Sequence, residues 1–323
     1  MANLSVAVVG CGHWGQNLLR NFFDLGVLYS VSDDDVGRAN SFAKKYSCKQ
    51  MSFADVLEDE TIDGIVLATP AKTHADLAVA SLEAGKHVFV EKPLAMDLEE
   101  GKKIKTASQV SGKIIMVGHL LQYHPAFEKL KEIVHEGELG KIRFIQAVRT
   151  GLGIIRNEED VLWSLAPHDI SMVLSLAGTR PKKVTARGSC ISQKQIPDNT
   201  TVFIDFEHDV AAQIFVSWFS AQKEQKLTVI GEKKMAVFDD RLPWGEKLSV
   251  VDHELNCAVS PPAVKKNPPT FLDVAEGEPL RKECEYFCNC IRGKVQGRTD
   301  IVEGLDVVSV LEQASISLKS GGM

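Results

Sequence analysis

Over the first 120 positions, short and largely apolar runs alternate with longer segments whose apolar residues recur every three or four. Val6-Ala7-Val8-Val9, Val27 to Val31, Gly64-Ile65-Val66-Leu67-Ala68, His87 to Val90 and Ile114 to Val117 are the runs. Such runs suit strands buried on both faces of a parallel sheet. Between them, Ala39 to Tyr46, Phe53 to Leu57, His74 to Ala84 and Leu98 to Ser111 carry the helical period, and Gly85 and Gly112 stop two of them. Cys48 to Met51 adds a short strand. Strand–helix alternation with short connections predicts a doubly wound parallel sheet.

The pattern changes near residue 120. Pro125 to His135 predicts a helix, closed around Gly137-Glu138-Leu139-Gly140. Ile142 to Arg149, Lys183 to Ser189, Thr200 to Phe206, Ala211 to Trp218 and Lys226 to Ile230 then alternate with period two. They predict a mainly antiparallel open sheet, interrupted by one helix from about His168 to Leu176. Pro261-Pro262 and Pro268-Pro269 bracket a segment expected to be irregular, and helices near Leu280 to Arg292 and Ile301 to Lys319 close the chain. The expected class is α/β, with one domain at 1–120 and a second α/β domain at 121–323. The terminal helices could pack on either.

The first strand leads into Gly10-Cys11-Gly12-His13-Trp14-Gly15, a helix follows, and the second strand ends at Asp33. Glycine-rich turn, helix, strand and an acid about twenty residues on form the dinucleotide-binding βαβ unit of a Rossmann domain. Gly10 permits the tight turn, Gly12 the approach of a pyrophosphate and Gly15 the packing of helix on strand. A carboxylate at Asp33 accepts both ribose hydroxyls of NAD and repels the 2′-phosphate of NADP; Arg38, close by in sequence, complicates that choice. Asp34 and Asp35 read as a solvated turn. Ligands of such sheets sit at the carboxyl ends of the strands, where Gly10, Asp33, Thr69, Glu91 and Lys92 all fall.

Composition narrows the classes. The 323 residues suffice for two cores, 44% of them are apolar and 25% charged, and a net charge of −6 argues against nonspecific nucleic-acid binding while leaving room for an anionic small ligand. No apolar run reaches membrane-spanning length and the chain enters its first strand directly, so neither a membrane nor a secretory leader is expected, and the cytoplasm is. Seven scattered cysteines read as reduced thiols. Cys284, Cys288 and Cys290 lack a companion pair of ligands, so no metal is expected.

Several motifs together resemble the glucose–fructose oxidoreductase and inositol dehydrogenase (Gfo/Idh/MocA) family. They are the fingerprint, Ala68-Thr69-Pro70 with His74 four residues on, Glu91-Lys92-Pro93, Glu136 to Ile142, His168-Asp169-Ile170 and Thr299 to Gly304. The resemblance implies an NAD-dependent oxidoreductase whose second domain carries substrate and often an oligomer interface, here a homodimer or homotetramer. It implies a cofactor set of Gly10, Gly12, His13, Trp14, Gly15, Asp33, Thr69, Pro70, His74, Glu91 and Lys92. It gives Lys92 a catalytic role, frequently on a cis Lys–Pro bond, where an ammonium stabilises developing oxygen charge. It makes His168 the acid–base group. Many relatives carry an aspartate four residues before that histidine; this chain has Ser164, which leaves the choice of base between His168 and Lys92 open.

The stretch from Gly151 to Asp169 resembles the subgroup that oxidises the 3-hydroxyl of UDP-N-acetylglucosamine or its uronate, whose product a partner aminotransferase converts in amino-sugar and lipopolysaccharide synthesis. Arg149 and Arg156 are then candidates for the diphosphate, Trp163 for a sugar or uracil face, and His119, Tyr123, His124 and Ser164 for the sugar. The other readings are a dehydrogenase of free polyols such as an inositol, and a non-catalytic NAD-binding sensor.

Overall fold

The strands Val6–Val9 (β1), Leu28–Ser32 (β2), Lys49–Gln50 (β3), Gly64–Leu67 (β4), His87–Glu91 (β5) and Ile115–Gly118 (β6) pair in parallel, in the order β3-β2-β1-β4-β5-β6. The computed structural model describes residues 4–153, 155, 159–256, 260, 261 and 263–322. This is the dinucleotide-binding strand order, and it places the switch point between β1 and β4. The helices Gly15–Asp24 (α1), Val36–Tyr46 (α2), Phe53–Glu58 (α3), His74–Glu83 (α4) and Leu98–Ser111 (α5) are the crossovers. Val8, Val31, Val66, Phe89 and Met116 are fully buried, which is why these strands read as continuous apolar runs.

Pro125–His135 (α6) opens the second part. Among the described residues the strands that follow are Ile142–Leu152 (β7), Lys183–Ser189 (β8), Asn199–Asp205 (β9), Ala211–Ser217 (β10), Phe219–Gly231 (β11), Lys234–Asp239 (β12), Leu248–Asn256 (β13), Ala263–Lys266 (β14) and Thr270–Phe271 (β15). The sheet runs β14-β13-β12-β11-β7-β10-β9-β8, with β15 beside β13; among the described residues only β7 and β10 pair in parallel. Val161–Ala177 (α7) and α6 pack on one face, over Ile145, Ala147, Val202, Ile214, Val229 and Phe238. The other face presents half-buried Phe144, Val148, Phe215, Ile230 and Val237 and exposed Phe203.

Two expectations need correction. The helix expected from His168 begins at Val161, capped by the Asp160 carboxylate, which accepts the Trp163 N–H at 3.0 Å. Pro167 lies inside it, so His168 is mid-helix. The segment expected to be irregular contains β14, and β15 directly follows its second proline pair; both add to the edge offered by β13. Pro279–Ile291 (α8) and Ile301–Ser317 (α9) end the fold. The chain divides into two units: the described residues up to Leu120 with Glu278–Ser309, and Leu121–Gly277 with the residues from Val310 on. In the first unit Phe287 of α8 meets Phe22 and Phe89 edge-on, at 6.4 and 5.7 Å between centroids. The Val117 N–H donates to the Thr299 carbonyl oxygen and the Thr299 hydroxyl donates to the Val117 carbonyl oxygen, covering the β6 edge.

Candidate active site

The chemistry of the first unit gathers where β1, β2, β4 and β5 end. Gly10 leaves β1 at φ +94°, and a Cβ there would lie 2.6 Å from the Ala68 backbone; at Gly15 it would meet the Gly10 carbonyl oxygen at 2.0 Å. At Gly12 a Cβ would point into open space. Two glycines therefore seat the turn on the end of β4 and the third leaves its outer face bare. No side chain caps α1 and no acid sits in its first turn, so the positive end of the helix is uncompensated.

Beside the turn, the nearly buried Asp33 carboxylate accepts the Cys11 N–H (2.6 Å), the Asp35 N–H (2.9 Å) and Arg38 through Nε (3.2 Å) and Nη2 (2.7 Å). Burial alone would raise its pKa; the hydrogen bonds from Arg38, Cys11 and Asp35 outweigh that and hold it below the ordinary value. These residues fit a dinucleotide. Its pyrophosphate would lie over Gly12 and the α1 N-terminus, and its ribose hydroxyls would reach Asp33 in competition with Arg38.

At the next strand ends the buried His74 links two loops. One ring nitrogen lies 2.7 Å from the Pro93 carbonyl oxygen and the other 2.9 Å from that of Thr69. Thr69 and exposed Pro70 follow β4, and half-buried Lys92 stands on a cis Lys92–Pro93 peptide just after β5. His13 and Trp14 are exposed on the turn, and the Trp14 indole donates to Glu91, which is buried. His119, 1% exposed, donates from Nδ1 to Glu303 at 2.7 Å, a contact that the Thr299 to Gly304 motif contains but does not announce.

In the second unit, α7 sets Ser164 and half-buried His168 one turn apart on the same face. The other substrate candidates make the following contacts within the second unit. Arg149 forks onto Asp169, next in sequence to His168, at 2.6 and 3.0 Å, and this ion pair is buried. Trp163 is packed inside with its indole N–H on Ser315 (2.9 Å), so it offers no open face. Tyr123 is buried. His124 caps α6, lies 3.2 Å from Asp240 and stacks on Trp244. Arg156 lies outside the described residues. Among the described residues no group of three His, Cys, Asp or Glu side chains is placed to hold a metal ion, and no helix is long and apolar enough to cross a membrane.

Residues 4–119 match the oxidoreductase family with NAD-binding Rossmann fold (Gfo/Idh/MocA), and residues 127–237 match the C-terminal domain of the same family. The chain belongs to the Gfo/Idh/MocA oxidoreductases and its cofactor is NAD. It is 24% identical over 322 residues to UDP-N-acetylglucosamine 3-dehydrogenase of Acidithiobacillus ferrooxidans, covering 99% of both chains. The solved structure of that enzyme superposes with a TM-score of 0.87 over the whole of both chains, at 23% identity. The chain is also 25% identical over 322 residues to the scyllo-inositol 2-dehydrogenase (NAD(+)) of Bacillus subtilis, covering 95% of this chain and 90% of that one. GenD2 from gentamicin A biosynthesis, solved in complex with NAD, has a TM-score of 0.84 at 21% identity, over 99% of this chain and 95% of that one.

Proposed function

We propose that the chain is an NAD-dependent dehydrogenase that oxidises the 3-hydroxyl of a UDP-linked amino sugar, UDP-N-acetylglucosamine in preference to its uronate. The observation that carries the reading is the likeness to the Acidithiobacillus enzyme along 99% of both chains. Lys92, on its turn at the β5 end, donates a hydrogen bond to the oxygen on which negative charge develops. His168 takes the hydroxyl proton. Bound NAD supplies the acceptor for the hydride that leaves C3, and the sugar departs as the 3-ketone. Ser164 carries no charge to hold the imidazolium, so Asp169, clamped by Arg149, supports the helix at this point instead. The ketone is a substrate for an aminotransferase. The half-buried apolar face of the second sheet supports a homodimer or homotetramer, and the cytoplasm supplies both cofactor and nucleotide sugar.

A polyol dehydrogenase is the second reading, favoured by the near-complete overlap with the scyllo-inositol enzyme. The test mixes stoichiometric NAD and protein with UDP-N-acetylglucosamine, its uronate or an inositol and follows the absorbance of reduced cofactor. Reduction by UDP-N-acetylglucosamine is expected. Reduction by inositol alone would replace the reading with the second, and silence with all three would point to a sensor. Lys92→Met should lower turnover roughly 100-fold while leaving NAD affinity unchanged by calorimetry; equal loss in both would remove Lys92 from the chemistry.

A further inference from the structure

Next to Lys92, within the first unit, lies a group of ionisable side chains that the proton and hydride steps do not use. Glu91 ends β5 with its carboxyl buried. Two donors hold it, the Trp14 indole on Oε1 and the Lys92 backbone N–H on Oε2 at 3.2 Å. It lies against Gly118 of β6, its partner across the ladder, where a Cβ would come 3.0 Å from the carboxyl carbon. Around it stand His119 after β6, Glu303 of α9, which holds His119, and Glu283 of α8, whose charge would act on both Glu91 and Glu303.

Glu283 is fully buried and neither of its oxygens has a hydrogen-bond partner. A charge there would be stranded, so burial, reinforced by Glu91 and Glu303, raises its pKa well above the ordinary value and favours the protonated form. Burial likewise pushes Glu91 up to about 7, against the pull of the Trp14 bond, the Lys92 charge, the Lys92 N–H and His119.

We propose that Trp14 and Glu91 are positioning residues for Lys92: the indole bond draws Glu91 towards its carboxylate form near neutrality, and that carboxylate holds the Lys92 backbone and favours its ammonium. The inference rests on the assignment of Lys92 as the catalytic group and extends it to the glycine-rich turn. Trp14 immediately precedes α1, so a ligand seated on the turn bears on the same indole that fixes Glu91. The turn that grips phosphates and the lysine that meets the reacting oxygen then act as one unit.

A substrate-free titration tests the pair independently of the sugar. The indole ¹H–¹⁵N resonance of Trp14, assigned by its loss in Trp14→Phe, should shift with a midpoint of about 7 and stay flat in Glu91→Gln. A resonance that does not move between about pH 5 and about pH 9 overturns the proposal. In turnover, Trp14→Phe removes the bond that favours the carboxylate, so Glu91 takes up its proton at higher pH. The loss in kcat should be about tenfold near neutrality and should shrink in alkali, one pKa unit being a factor of ten. An equal loss at every pH, or one confined to KM for NAD, would show a merely structural or cofactor-contacting tryptophan and overturn it. A chain whose indole titrates as expected but which reduces NAD with no sugar overturns the function assigned above and leaves the Trp14–Glu91 pair standing.

Discussion

Arg149 shows how a side chain with the chemistry of a diphosphate ligand can be claimed by its own fold. Its guanidinium sits bidentate on Asp169 in a buried pair, and nothing within a few residues of either position announces the other. Arg149→Met should therefore destabilise the protein by about 3–5 kcal/mol, the cost of leaving one buried charge alone. Adding Asp169→Leu should recover most of that loss, as read from denaturant midpoints; no recovery would mean that the arginine contributes by packing. The same blindness to distant partners hid the indole bond of Trp163 to Ser315 and the hold of Glu303 on His119. By contrast, the tight turn at Gly10 (φ +94°) and the contact of Gly15 with the Gly10 carbonyl oxygen were legible because they are local, whereas the approach of Gly10 to the Ala68 backbone is not. His74 lies between these cases: a family motif marks it, but only the fold shows it bridging Thr69 and Pro93. Removing both bonds in His74→Phe should cost about 1–3 kcal/mol and should lower turnover by loosening the turn that carries Lys92.

At the level of elements, β1 to β6 were readable because strands buried on both faces leave unbroken apolar runs. α7 was misread because a proline before His168 is the usual mark of a first helical turn. Here the cap is Asp160, seven residues before Pro167, and the helix runs on through the proline. β14 and β15 were missed because they are short edge pieces beside prolines, defined by what they pair with and not by their own pattern. Glu283 did leave a trace. It stands in the same stripe of α8 as Leu280, Cys284 and Phe287, all buried, so an acid among apolar neighbours at helical spacing marks the buried carboxyl. The pairing of β5 with β6 also carries a constraint, since Glu91 lies on Gly118. Gly118→Ala forces a shift there and should cost about 1–3 kcal/mol. It should also reduce turnover while NAD affinity holds; unchanged turnover would mean that the displaced Glu91 does not matter to Lys92.

For the whole molecule, the buried carboxyls set a pH signature. An acid whose folded pKa is raised stabilises the fold fully below its unfolded value, near 4.5 for glutamate, and loses that contribution as pH rises towards the folded value. Glu91 and Glu283 thus make stability fall from about pH 5 upwards. His87, whose burial lowers its pKa, acts in the opposite sense up to about pH 6.5. Asp198 and Asp240, both held at about 2, act only in stronger acid. Comparing Glu283→Gln with the natural chain cancels the shared groups: the variant should lose less stability between neutral and alkaline pH, measured by urea unfolding, and parallel curves would show that Glu283 ionises normally. The division of the chain has a further consequence, one of timing. The first unit is written in two instalments, the second being Glu278–Ser309, and Phe287 from that later instalment fills the space between Phe22 and Phe89. On the ribosome the residues up to Leu120 emerge with their sheet uncovered on the α8 side, and the nucleotide-binding unit is finished only after the 157 residues between Leu120 and Glu278, and then Glu278–Ser309, have been synthesised.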